Sequence, residues 1–224
     1  MEHVNNHPYE ELLAAYAAGS LPLSQALCVS AHVEHCTSCT QNIQRLNRVG
    51  GELLQQMQPS HASEELKNKL LDSLDSLTEE MPDQGPKQQV DKSIPRCLHQ
   101  FITKGYDEIC WKRVSADIQS AELCRDSNGA KVELLKIRPG GSTSTHTHLG
   151  DEYTVILEGS FSDEDGLYRR GDFMVRGGSD KHTPVATLDR ECICLTVTEG
   201  PVQFTGVLSR LLNPFIRRGY ASRP

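Results

Sequence analysis

The chain has 224 residues, which is enough for one large domain or two small ones. Its formal net charge of −7 lies in the N-terminal part: residues 1–80 carry four Lys or Arg against eleven Asp or Glu, and the rest carries nineteen of each sign. This distribution indicates a basic partner for the N-terminal part and argues against direct binding of nucleic acid.

The N-terminal stretch MEHVNNHPYEE has neither the basic nor the apolar region of a signal peptide. No apolar run is as long as a membrane span. We therefore expect a cytoplasmic protein without membrane contact, in which thiols stay reduced. Its eight cysteines are then expected to be metal ligands, redox-sensitive thiols or buried small side chains, and not disulfides.

Residues 1–80 predict a domain of four helices. Pro8 can begin the first helix and Gly19 can end it, and a second helix starts near Leu23. A third helix contains Gly50-Gly51, which the close approach of another helix would account for. Ser63 is expected to cap the fourth. Four leucines form a stripe on the fourth helix, which is either a partner-binding face or packing within the domain: Leu66, Leu70, Leu74 and Leu77.

The stretch HVEHCTSC, residues 32–39, has the spacing of metal ligands. On a helix, His32, Cys36 and Cys39 lie within an arc of about 60°, and these side chains suit tetrahedral zinc. A closed site needs a fourth ligand. His7 is the better candidate because it would join the first helix to the second, whereas His35 lies at the edge of the arc.

Two alternatives to zinc remain open for these cysteines. They can form a redox-active C-x-x-C pair, although the strand that precedes such a pair in thioredoxin-like proteins is missing, or they can be ordinary buried thiols. Zinc is favoured because a small helical domain buries a limited core. Structural zinc supplies roughly 10–16 kcal/mol in small peptides.

With the flanking segments LLAAYAAGSL and VGGELLQQM, this stretch resembles the zinc-containing anti-sigma domain, and the ChrR group in particular. The resemblance covers residues 5–58. It implies that zinc is bound by His7, His32, Cys36 and Cys39 but not by His35. It also implies that the helical domain sequesters an extracytoplasmic-function (group IV) sigma factor.

Residues 81–95 contain three prolines and one glycine without apolar periodicity, which predicts a linker. From residue 96 to about 210, short segments rich in β-branched residues alternate with turns and predict an antiparallel β-sandwich or barrel. Residues 211–224 form a basic tail that we expect to be loosely held. The predicted fold class is thus a zinc-bound helical domain followed by an all-β domain.

A second group of ligands follows the pattern G-(x5)-H-T-H-(x3)-E-(x6)-G over residues 140–159. His146 and His148 are two residues apart on a strand and so face the same side. Glu152 can return to that side, and His182 can join from an opposing strand. A set of three histidines and one carboxylate suits zinc, manganese, iron, nickel or cobalt, and we expect zinc.

This pattern resembles the first motif of the cupin family, and each spacing matches. The second motif departs from the family because Gly177 stands where proline is expected and Ala186 where asparagine is expected. The ChrR group joins its anti-sigma domain to such a cupin. The resemblance therefore implies that the cupin domain is needed for release of the sigma factor under oxidative stress, caused by singlet oxygen or organic hydroperoxide.

Two further cysteines, Cys192 and Cys194, face the same side of a strand. They are either a redox-sensitive pair or inert buried thiols. We assign no catalytic residue and expect no enzyme. The competing hypotheses are a metal-dependent cupin dioxygenase, decarboxylase or isomerase with a helical appendage, and a zinc-dependent scaffold.

Overall fold

The computed structural model describes residues 4–75, 91–143, 145–178 and 180–204. Four helices come first and an antiparallel β domain follows, so the predicted fold class is confirmed. The helices are α1 (Glu10–Ala17), α2 (Leu23–Val33), α3 (Thr37–Gln55) and α4 (Glu64–Asp75).

The helix ends follow signals that the sequence contains. Gly19 ends α1 with a φ of 66°, a backbone conformation that glycine adopts without strain. The hydroxyl of Ser63 accepts a hydrogen bond from an amide in the first turn of α4, as predicted. Between α2 and α3 the chain breaks briefly, and Cys36 is the N-cap residue of α3. Its sulfur accepts a hydrogen bond from the amide of Cys39.

The close helix approach considered for Gly50 and Gly51 is wrong. A Cβ atom at either position would meet no atom within 4 Å in the part of the chain that the structure describes. No helix packs closely there among those residues, and this section of α3 is largely exposed.

Among the described residues, the β domain has eleven strands in three antiparallel sheets, preceded by two short 3-10 turns (Arg96–Leu98 and Tyr106–Glu108). The strand order is β1-β2-β3-β10-β5-β8 in the large sheet, β7-β6-β9 in the second and β11-β4 in the third. The strands are β1 (Lys112–Arg113), β2 (Ile118–Arg125), β3 (Lys131–Ile137), β4 (His146–His148), β5 (Glu152–Glu158), β6 (Ser160–Asp163), β7 (Gly166–Arg169), β8 (Phe173–Arg176), β9 (Val185–Ala186), β10 (Cys192–Thr198) and β11 (Val202–Phe204).

Both faces of the central strands β5 and β10 of the large sheet are buried, and they face different surroundings. On the central strand β10, Leu195 lies opposite Leu134 of β3 and Val155 of β5, and all three belong to one apolar cluster. The neighbouring Cys194 belongs to a second cluster, which the large sheet shares with Phe161 on β6. Since successive side chains on a strand alternate, the first cluster covers one face and the second cluster the other.

The first cluster also contains the core of the helices, because α2 packs against β5 and β10. The molecule is therefore layered, with the helices, the large sheet and the smaller sheets stacked in that order. The helical residues of the shared cluster include Leu12, Leu13, Leu27, Cys28, Val29 and Ile43.

Several expectations concern parts of the chain outside the described residues. Residues 76–90 and 205–224 are outside, and with them Leu77, most of the predicted linker 81–95 and the whole tail 211–224. Within the described ranges, none of the helices combines the length and the apolar character needed to span a bilayer.

Candidate metal centres

The break between α2 and α3 brings four predicted ligands together. One donor atom from each of His7, His32, Cys36 and Cys39 lies within 4.8 Å of every other. The nitrogen–sulfur distances are 3.3 Å from His32 Nε2 to Cys39 Sγ, 3.3 Å from His7 Nδ1 to Cys36 Sγ and 3.6 Å from His7 Nδ1 to Cys39 Sγ. A tetrahedral zinc ion with ordinary bond lengths requires such edges to be about 3.6 Å.

Burial favours the uncharged forms of His32 and Cys39 when no cation is bound. His32, Cys36 and Cys39 are buried, and His7 is exposed. Burial lowers the pKa of His32 to about 4, although its hydrogen bond to the Gly171 carbonyl acts in the other direction. Burial and the adjacent Cys36 raise the pKa of the Cys39 thiol to about 12. A bound cation would favour the neutral imidazole and the thiolate that metal ligation needs.

His35, the alternative ligand, is not part of this group. Its side chain lies against Gly171, where an added Cβ would be 2.9 Å from His35 Cβ. Its Nε2 atom is buried and has no hydrogen-bond partner among the residues that the structure describes. The structure thus brings His7, and not His35, to the cysteines.

The second predicted group also comes together, on the inner face of the β domain. One donor atom from each of His146, His148, Glu152 and His182 lies within 4.8 Å of the others, and all four side chains are buried. His146 and His148 are on β4, and Glu152 is the first residue of β5. His182 pairs with His146 through an isolated bridge, which brings it in from the opposite side.

The distances in this group are less regular. His182 Nε2 is 3.0 Å from His146 Nε2 and 3.3 Å from His148 Nε2, and Glu152 Oε2 is 2.6 Å from His148 Nε2. Burial alone raises the pKa of Glu152, but the hydrogen bond and charge of His148 and the charges of the other two histidines lower it to about 2. The carboxylate is thus ionised and is a suitable ligand for a divalent cation. The geometry does not select among zinc, manganese, iron and nickel.

The two strand cysteines lie on the same inner face as this second group. Cys192 Sγ and Cys194 Sγ are 4.0 Å apart, and both residues are buried. The interaction with Cys192, together with burial, raises the pKa of Cys194 well above its usual value. Because the thiolate is the reactive form, this environment favours unreactive thiols.

The leucine stripe of α4 is exposed, not packed within the domain. Leu66, Leu70 and Leu74 are 49%, 57% and 62% exposed. The second half of α3 adds apolar side chains that lie on a predicted helix and were not predicted as a binding surface. The sequence signal that could have identified these side chains is the apolar periodicity of α3, which continues beyond Ile43, the last buried residue of the helix. The large apolar side chains that are exposed in the second half of α3 and directly after it are Val49, Leu53, Leu54 and Met57.

Comparison with known proteins shows what this chain is similar to. Residues 99–203 match the family described as the ChrR cupin-like domain. The chain is 30% identical over 215 residues to the anti-sigma-E factor ChrR of Cereibacter sphaeroides, covering 96% of this chain and 99% of that one.

A solved structure gives the same result. The crystal structure of Rhodobacter sphaeroides SigE in complex with the anti-sigma ChrR matches 88% of this chain and 100% of the matched chain. The TM-score is 0.76 at 29% sequence identity. The chain belongs to the ChrR family of anti-sigma factors and is a regulator, not an enzyme.

Proposed function

We propose that this protein sequesters an extracytoplasmic-function sigma factor through its helical domain and releases it under oxidative stress. The observation that carries the proposal is an exposed apolar surface on α3 and α4, in a chain of the ChrR family. The matched ChrR chain is in complex with SigE, which supports a partner of the same class for this chain.

The first metal group gives the helical domain its fixed shape. A zinc ion held by His7, His32, Cys36 and Cys39 would join the segment before α1 to the junction of α2 and α3. The helices α1 and α2 are short and bury a limited core, so a metal clamp would have a large effect on their arrangement. Structural zinc contributes roughly 10–16 kcal/mol, which is comparable to the stability of a whole domain.

The exposed apolar side chains of α3 and α4 are here called the apolar docking surface, and their apolar composition is that of an interface core. Eight large apolar side chains on or next to two consecutive helices are exposed, which isolated surface residues of a monomer do not explain. In the sequestered state these side chains would be covered by the sigma factor. The surface consists of Val49, Leu53, Leu54, Met57, Leu66, Leu70, Leu71 and Leu74.

The charge of the helical domain fits such a partner. The excess of acidic residues in residues 1–80 is complementary to a protein whose own surface is basic for binding DNA. An acidic domain would cover those basic surfaces and would itself be repelled by DNA. The proposal places the protein in the cytoplasm, where sigma factors act.

The β domain is proposed as the sensing half. A divalent cation, zinc in our proposal, would be held by His146, His148, Glu152 and His182 on the face of the sheet away from the helices. Rearrangement of these ligands around the bound cation, caused by singlet oxygen or organic hydroperoxide, would change the packing of the sheet on which α2 rests. The helical domain would then lose its fit to the sigma factor.

Co-expression tests the proposal directly. The full chain is expressed with each extracytoplasmic-function sigma factor of its own organism in turn, and the complexes are purified and analysed for metal. We expect one stable complex containing zinc, which dissociates when the cells are first exposed to singlet oxygen or organic hydroperoxide. Absence of any complex contradicts sequestration, whereas a complex that survives both oxidants contradicts the sensing role alone.

A further inference from the structure

Two ligands of the first metal group are held by the β domain. His7 follows Asn5 and Asn6, whose backbone amides both donate to Asp172 Oδ1, at 2.8 Å and 3.0 Å. In return, the amide of Phe173 donates to the carbonyl of Asn6 at 3.0 Å. The segment that ends in His7 is therefore fixed by three hydrogen bonds to the turn between β7 and β8.

The same turn orients His32. Its Nδ1 lies 2.6 Å from the carbonyl oxygen of Gly171, and its Nε2 lies 3.3 Å from Cys39 Sγ. Since a carbonyl oxygen only accepts, Nδ1 donates, and the lone pair of Nε2 is directed at the metal position. A hydrogen bond of this kind fixes both the tautomer and the ring orientation of a metal-ligating histidine.

Asp172 is built into this turn as a buried charge. It is 0% exposed, and its second oxygen accepts a hydrogen bond from the amide of Arg169 at 2.8 Å. Three backbone amides therefore satisfy a carboxylate that would otherwise be costly to bury. The hydrogen bond from Arg169 stabilises the turn between β7 and β8 itself. The other two join that turn to the segment that ends in His7, and none of the three involves a residue of the second metal group.

The turn also forms hydrogen bonds to the strand that carries Glu152 of the second metal group. The amide of Gly171 donates to the carbonyl of Ile156 at 2.8 Å, and the amide of Ile156 donates to the carbonyl of Asp172 at 3.2 Å. Ile156 lies on β5, which begins at Glu152. One strand and one turn thus connect the two groups.

We infer that Asp172 is a positioning residue of the first metal site, which makes the β domain part of the environment that fixes the geometry of that site. This inference rests on the metal assignment proposed above. The carboxylate holds the backbone leading to His7, and the adjacent carbonyl of Gly171 holds the ring of His32. Without the carboxylate, the segment leading to His7 would keep only one of these three hydrogen bonds, from the amide of Phe173 to the carbonyl of Asn6.

The experiment uses the full chain loaded with Co²⁺, with Asp172→Ala as the test variant. Only the first group contains sulfur, so thiolate-to-cobalt charge-transfer absorption reports that site alone. We expect Asp172→Ala to change this absorption and to weaken metal retention against a chelator by about 10–100-fold, the usual effect of losing a group that orients a ligand. Asp172→Asn keeps one acceptor oxygen and should give an intermediate loss.

Asp180→Ala is the matched control. Asp180 accepts a backbone hydrogen bond from Gly177 in another turn of the β domain, and its replacement should leave the charge-transfer absorption unchanged. Total metal distinguishes a misfolded variant, because unfolding of Asp172→Ala would release both ions, whereas the inference requires loss from the first site alone. Wild-type absorption and retention in Asp172→Ala, or loss of both ions together in Asp172→Asn, would overturn the inference. A wild-type protein with no charge-transfer absorption would overturn the metal assignment itself.

Discussion

Glu152 and Tyr153 are adjacent on β5, and their side chains serve the two halves of the molecule. The carboxylate of Glu152 lies 2.6 Å from His148 Nε2 in the second metal group. The ring of Tyr153 packs in the cluster shared with the helices, and its hydroxyl accepts a hydrogen bond from Gln25 of α2 at 3.2 Å. A change in how Glu152 binds a metal would thus occur one residue away from Tyr153, which contacts α2.

Replacing Cys39 with serine should abolish sequestration. The variant loses a sulfur ligand from a group whose donor atoms lie within 4.8 Å of one another. We expect zinc content to fall by about one ion per chain and sigma-factor affinity to fall by at least about 100-fold, because much of the roughly 10–16 kcal/mol from zinc is lost. Metal analysis and binding titrations measure both effects.

The matched control for this variant is His35→Ala. His35 is close in sequence but stands outside the ligand group. The His35→Ala variant should retain zinc and bind the sigma factor normally. Loss of zinc in His35→Ala with retention in a His7→Ala variant would show that the ligand set is wrong.

Replacing His148 with alanine should separate sensing from binding. The side chain is on the face of the β domain away from the helices, so sigma-factor affinity should change by no more than about twofold while the second metal is lost. The response of a sigma-dependent reporter to singlet oxygen should be reduced. Thr147→Ala, on the same strand but outside the ligand group, is the control. A normal response in His148→Ala would contradict the sensing role.

Replacing Leu70 with aspartate should weaken binding without unfolding the protein. Leu70 is 57% exposed, so the change removes no core packing. A leucine buried at an interface contributes about 1–3 kcal/mol, which corresponds to roughly 5–150-fold in affinity. Calorimetric titration and thermal unfolding measure the two effects. Lys69→Gln, on another side of α4, should not weaken binding, and equal losses in both variants would argue against the apolar docking surface.

Replacing Asp126 with alanine should loosen the packing of the helices on the β domain. Asp126 Oδ2 accepts hydrogen bonds from both the amide and the hydroxyl of Ser24, at the N-terminus of α2. It thus caps a helix of the other domain and interacts favourably with that helix end. We expect a loss of about 1–3 kcal/mol in unfolding free energy. Asp107→Ala, an exposed acid, is the control and should have no measurable effect.

The cysteines of β10 should be unreactive in the folded protein. Cys110 is exposed, whereas Cys192 and Cys194 are buried. Alkylation followed by mass spectrometry should modify Cys110 first and the other two only after unfolding. Modification of Cys192 or Cys194 at the rate of Cys110, or a disulfide between them in protein treated with hydroperoxide, would instead support a redox role.

Much of this architecture could be predicted from the sequence, because its signals are local. Helix ends at Gly19 and Ser63 follow from backbone freedom and side-chain capping. The H-x3-C-x2-C and H-x-H-x3-E spacings follow from the geometry of a helix and a strand. His35 could not be separated from His7 by helical geometry alone, since the ligands span a break whose form is set by the fold.

The sequence by itself therefore determined the residue types of the two candidate ligand groups, the order of a helical and a β domain, and the acidic character of the first. Only the tertiary structure decided that the leucines of α4 are exposed, that the helices share a core with the large sheet, and that Asp172 holds the segment leading to His7. The physical reason is distance along the chain. Local patterns specify helices, strands and turns, whereas Asn5 and Asp172 are 167 residues apart, and their contact exists only once every intervening element has packed.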